Sequence, residues 1–135
     1  MCSYCTFSSL FACSSEIITI FVEGTWYLKS EIWYQWKDGK PDMNNVTFSK
    51  TYDDFANERI WIFKKSGENL LLTDQDEKEI DTITLKKEGN NEYAKGGDLM
   101  VIKSISANKL IVEYYDHYYS DNEYIKEYGF YTFMR

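Results

Sequence analysis

The sequence predicts an all-β domain: an eight-stranded antiparallel up-and-down barrel with a long lid loop after the first strand. Three observations carry that expectation. From residue 17 onward, apolar and polar residues alternate with period two rather than with helical spacing. The composition favours strands, with 12 Tyr, 8 Phe and 4 Trp among 135 residues. Turn signals recur at short intervals, and short turns force consecutive strands to run antiparallel. A meander with a buried aromatic face closes on itself, because closure removes unpaired edges. The same composition excludes a disordered chain, and the length fits one domain with its own core.

The elements follow in order. Residues 17–22 are a short apolar lead-in, and residues 26–36 form the first long strand. Residues 37–58 are polar and hold the single proline, Pro41; they read as the lid loop, with room for one helical turn over 49–56. Residues 59–64 form the second strand, with Trp61 and Phe63 on one face. The turn at 66–69 leads to a strand at 70–73, and the charged turn at 74–79 to a strand at 80–86. Glu88-Gly89-Asn90-Asn91 is a strong turn signal before a short strand at 92–95. Gly96-Gly97 precedes residues 99–105, and Ser106-Ala107-Asn108 precedes 109–115. The last strand covers 123–135.

Residues 1–15 are a different material and are set apart from a domain spanning 16–135. All 3 cysteines, Cys2, Cys5 and Cys13, lie there. Cys2 and Cys5 form a CxxC, but no βαβ pattern surrounds it, so a redox motif is not expected. A zinc site needs about four ligands, which three leader cysteines do not supply, and no metal or cofactor is expected. Leu10-Phe11-Ala12-Cys13 resembles the bacterial lipobox, in which a small residue precedes the cysteine that receives lipid. That resemblance implies lipidation at Cys13, a tether beginning at Ser14 and attachment to a bacterial envelope membrane. The first basic residue is Lys29, so the positive n-region of a signal peptide is missing from the pattern.

Gly24-Thr25-Trp26 opens the first long strand, and Tyr131-Thr132-Phe133-Met134-Arg135 ends the last. Together they resemble the lipocalin-like family, and most nearly the small bacterial lipocalin-like lipoproteins. In that family a Gly-x-Trp lies at the closed end of the barrel and an arginine of the final strand covers the indole. The resemblance implies that Gly24, Trp26 and Arg135 form the barrel floor. The first strand then climbs toward Trp36 at the mouth, and the last two strands meet near the same rim. The rim therefore collects Trp33, Trp36, Tyr114 and Tyr118 as candidate ligand-binding residues, with Tyr34, Tyr115, Tyr119 and Tyr124 around them. Aromatic rings with polar tips suit a half-wet cleft.

Catalytic signals are thin. His117 is the single histidine, set between Asp116 and Tyr118, and no Gly-x-Ser-x-Gly elbow or phosphate-binding loop accompanies it. Carboxylates cluster at 74–81, where they keep a turn soluble; Asp74-Gln75-Asp76 lacks the glycine and glutamate of a calcium loop. Lys plus Arg is 15 against 22 Asp plus Glu, a net charge of -7, which repels phosphate backbones and speaks against nucleic acid. The expected function is non-catalytic: binding of a small hydrophobic or amphipathic ligand in the barrel mouth. The alternative is an interaction module with a filled barrel, whose aromatic rim contacts a protein or a glycan. Eight strands permit either a packed interior or a cavity.

Overall fold

The structure, a computed structural model, describes residues 22–120 and 123–135; of residues 118–120 and 123–125 it describes the backbone alone. Cys13 and the CxxC lie outside the described residues, as does the side chain of Tyr118. Nine strands follow one another: β1 (Gly24–Lys37), β2 (Lys40–Thr51), β3 (Arg59–Ser66), β4 (Asn69–Asp76), β5 (Ile80–Gly89), β6 (Glu92–Lys95), β7 (Asp98–Ile105), β8 (Lys109–Ser120) and β9 (Glu123–Met134). All pairings are antiparallel. β1 pairs with both β3 and β9, which closes β1 and β3–β9 into an eight-stranded barrel; β2 is an extra strand beside β1.

The segment expected to be a lid loop is therefore mostly strand. β1 is long enough for two partners on one edge. Gly24–Tyr27 pairs with β3, and Ser30–Lys37 pairs with β2. The turn between β1 and β2 is Asp38-Gly39, with φ of 54° and 79°. Two consecutive residues at positive φ make the tight hairpin turn whose twist matches that of the flanking strands. Residues 49–51 end β2, and 52–58 cross back to β3 without the helical turn expected over 49–56. β2 escapes period-two reading because it is solvated on both faces, leaving no apolar side to alternate.

Register decides what faces inward. Leu28 pairs with Phe133 and Ser30 with Thr132, so Lys29 is an extra residue in β1. Such a bulge shifts side-chain parity by one. Trp26 and Leu28 point inward below it, and Glu31 and Trp33 point inward above it. A second irregularity, between Ile102 and Ser104 of β7, likewise lets Ile102 and Ile105 share the interior.

The lower half of the barrel is solid. Trp26, Trp61, Leu70, Leu72, Leu85, Met100, Leu110, Val112 and Phe133 are fully buried. Removing each large side chain of this kind from water stabilises the fold by about 1.5–3 kcal/mol. The Trp61 ring lies 4.7 Å from Phe133 and 5.4 Å from Tyr131, centroid to centroid. At the floor, the Trp26 indole donates to the Val22 carbonyl (2.8 Å), and the Arg135 guanidinium lies 4.0 Å above the indole ring. Arg135 also donates to the carbonyls of Ala107 (2.9 Å) and Glu23 (2.8 Å), joining the β7–β8 turn to the lead-in. Gly24 has φ of 118°, outside the range of other residues, and a Cβ there would stand 3.4 Å from the Arg135 guanidinium. These contacts bring Gly24, Trp26 and Arg135 together at one end.

Candidate functional site

At the other end the filling changes from apolar to aromatic and then to charged. The aromatic layer is Trp33, Tyr114 and Tyr131. Trp33 stands edge-on to both tyrosines at 5.7 Å, and the two tyrosines are nearly parallel, 6.2 Å apart. Edge-to-face packing is the arrangement that ring quadrupoles favour. Trp33 pairs across the ladder with Gly129, and a Cβ on Gly129 would come within 2.7 Å of the indole. The glycine is the seat on which the ring lies.

Above this layer opens a cavity of about 370 Å³ lined by Glu31, Trp33, Phe48, Arg59, Asp116, Glu127 and Tyr131. Phe48 comes from β2, whose pairing with Trp33 places it at the lip. The extra strand thus contributes a wall to the site.

The charges are organised. Arg59 donates to both Asp74 carboxylate oxygens, at 3.2 and 2.9 Å, and its third nitrogen lies 3.8 Å from Glu31. Burial pushes the guanidinium pKa down; the bond to Asp74 and the surrounding negative charge push it up and prevail. Glu31 is only 6% exposed, a buried carboxylate that accepts the Tyr52 hydroxyl at 3.0 Å. Burial first, and that bond second, push the Tyr52 hydroxyl up to about 12. Lys95 lies over the Tyr114 ring at 5.0 Å, and burial lowers its pKa. Tyr114 in turn donates to Asp98 at 3.2 Å. Asp116 is the carboxylate under strain: its pKa is raised by burial, by a hydrogen bond with Asp98 and by the negative charge of Asp98 and Glu127. Glu127 accepts the Thr47 hydroxyl at 2.9 Å, a second tie from β2 into the mouth.

The structure thus brings Trp33 and Tyr114 into one layer but places Trp36 elsewhere. Trp36 packs on Tyr115 at 6.3 Å with Lys126 above it at 5.6 Å, and Tyr115 follows inward-facing Tyr114, so this group is on the opposite face of the wall. There Tyr128 joins Tyr115 (5.2 Å) and Tyr34 (6.3 Å), and Glu113, buried beneath, accepts both Tyr115 and Tyr128. His117 lies 3.6 Å from Asp98 and does not line the cavity.

Sequence reasoning missed Glu31, Tyr52, Arg59 and Asp74. A lone arginine opening a strand carries no local signal of its partner. Phe48 was hidden with the rest of β2. Among the described residues, no group of three or more His, Cys, Asp or Glu is placed to hold a metal ion, and no helix is long and apolar enough to cross a membrane. No family model and no curated protein matches the chain.

Proposed function

We propose that the protein is a non-catalytic binding protein that takes a small amphipathic molecule in the barrel mouth. The observation that carries this reading is the cavity itself: about 370 Å³, floored by Trp33 and Tyr131 and walled by charged side chains. Its size is that of a small-ligand site, and its lining combines three aromatic rings with four charged side chains. Fully buried side chains fill the barrel beneath it, which favours a compact ligand. The lipobox-like Leu10-Phe11-Ala12-Cys13 supports the further reading that lipid on Cys13 holds the barrel at a bacterial envelope membrane.

Native mass spectrometry after mild purification tests the carrier. A co-purifying small molecule is expected, and Phe48→Ala, at a half-exposed lip position, should weaken its retention about tenfold through lost apolar contact. Repeated preparations at the bare chain mass would count against the reading. Fatty-acid labelling tests the anchor separately: Cys13→Ala should abolish it.

A second reading rests on the other face of the wall. Trp36, Tyr115 and Tyr34 form a half-buried aromatic strip over buried Tyr128, suited to a protein or glycan surface. Trp36→Ala would remove retention on a glycan array while leaving the mouth intact; no retention by the unaltered protein would end the glycan form of this alternative.

A further inference from the structure

The charge around the mouth narrows the ligand class. Five carboxylates, Glu31, Asp74, Asp98, Asp116 and Glu127, surround the aromatic layer with the cations Arg59 and Lys95, and His117 lies 3.6 Å from Asp98. Arg59 is already matched, with two bonds to Asp74 on one side and Glu31 on the other. The wall at Asp116 is different. Its carboxylate interacts with Asp98 and stands opposite Glu127 across the β8–β9 ladder, with Lys95 the cation that acts on it. Like charges crowded at a half-buried site are relieved by a cation, whose attraction grows as water is excluded.

The rings point the same way. Both cations of the mouth already sit over its tyrosines, Arg59 at 5.8 Å from Tyr131 and Lys95 at 5.0 Å from Tyr114. An aromatic floor beneath carboxylate walls stabilises positive charge by cation–π attraction as well as by ion pairing. Among the described residues no three of these carboxylates form a group placed to hold a metal ion. The complement is an organic cation with a body of its own.

We propose that the mouth binds a small organic amine, its ammonium group between Asp116 and Glu127 and its apolar body against Trp33 and Phe48. This rests on the mouth being a ligand site, and the test separates the two claims. Three probes of one shape and different charge are titrated into the full chain at pH 7 by calorimetry: 2-phenylethylamine, 2-phenylethanol and 3-phenylpropanoate. Perturbation of the Trp33 indole N–H in NMR spectra locates the binding. The amine should bind at least tenfold more tightly than the alcohol, and the carboxylate more weakly than either. Asp116→Asn and Glu127→Gln should each lower amine affinity about tenfold and leave the alcohol unchanged, with thermal unfolding checked for each variant.

Equal affinity for amine and alcohol, with Trp33 perturbed by both, would overturn the amine assignment and leave the mouth as a ligand site. Preference for the carboxylate would do the same and point to Arg59. Failure of all three to bind or to perturb Trp33 would overturn both claims.

Discussion

Gly129 shows how one missing side chain sets the mouth. A Cβ there would lie 2.7 Å from three atoms of the Trp33 indole, so the ring must shift off its seat. Gly129→Ala should therefore destabilise the fold by about 1–3 kcal/mol, the usual cost of overpacking. Chemical denaturation measures it, and altered Trp33–Tyr114 packing should appear in near-ultraviolet circular dichroism. Two carboxylates make opposite predictions at the same scale. Burial pushes Glu113 up, but bonds from Tyr128, Lys103 and Tyr115 outweigh it and hold its pKa below the ordinary value. A depressed acid stabilises the fold above its unfolded pKa, and that contribution fades as pH falls through the folded one. Stability should thus drop on acidification below about pH 4.5, the ordinary carboxyl range; the drop should be shallower in Glu113→Gln. Asp116 is raised, so its favourable contribution is present at low pH and lost as pH rises through its folded pKa. Asp116→Asn should accordingly raise the melting temperature at pH 7 and change it little at pH 3. A cation bound between Asp116 and Glu127 would offset that cost.

At the scale of the element, the β1–β2 hairpin is built from its turn and not from a core. β2 buries none of its side chains, and Met43, Val46 and Phe48 are exposed. Its place is set by the ladder to β1 and by Asp38-Gly39 at positive φ. Gly39→Val puts a β-branched residue where left-handed backbone costs about 1–2 kcal/mol. Amide exchange should quicken across β2, with the melting temperature of the barrel nearly unchanged. Uniform quickening across β3–β9 would show instead that β2 supports the whole sheet. The same hairpin marks where sequence reading succeeds and fails. The eight barrel strands were legible because each has one buried face, which prints an alternation and ends in turn residues. β2 has no buried face and prints none, although Asp-Gly between two strand-forming runs was the local signal available. Trp33 and Trp36 part for a different reason. Alternation alone already puts residues three apart on opposite faces, and the likeness to a rim drew them together. Arg59, Asp74 and Glu31 were illegible for a further reason: their association is made by register between β1, β3 and β4, which no local pattern encodes.

For the whole molecule the decisive feature is closure, made along the β1–β9 ladder and fastened at the floor by few groups. The β1–β9 ladder turns a sheet into a barrel, and Arg135, next after β9, fastens that seam. Its guanidinium covers Trp26 at 4.0 Å and donates to carbonyls on both sides of the opening, Ala107 and Glu23. Those bonds link segments far apart in the chain, so they restrain the entire ring rather than one turn. A cation–π contact contributes about 0.5–2 kcal/mol and each bond to a charged donor about 1.5–3 kcal/mol, with overlap between them. Arg135→Ala should therefore lower stability by about 2–4 kcal/mol, at the upper end for a residue so near the surface. Arg135→Lys keeps the charge but loses the flat fork that spans both carbonyls, and should recover less than half of that loss. Trp26→Ala empties the floor and should cost about 3–5 kcal/mol. The cavity lies at the opposite end, beyond a solid core, so a floor variant that remains folded should keep its affinity for the 2-phenylethylamine probe. Loss of that affinity in folded Arg135→Lys, followed by calorimetry beside a denaturation curve, would mean that the floor and the mouth are one cooperative unit rather than a stopper and a cup.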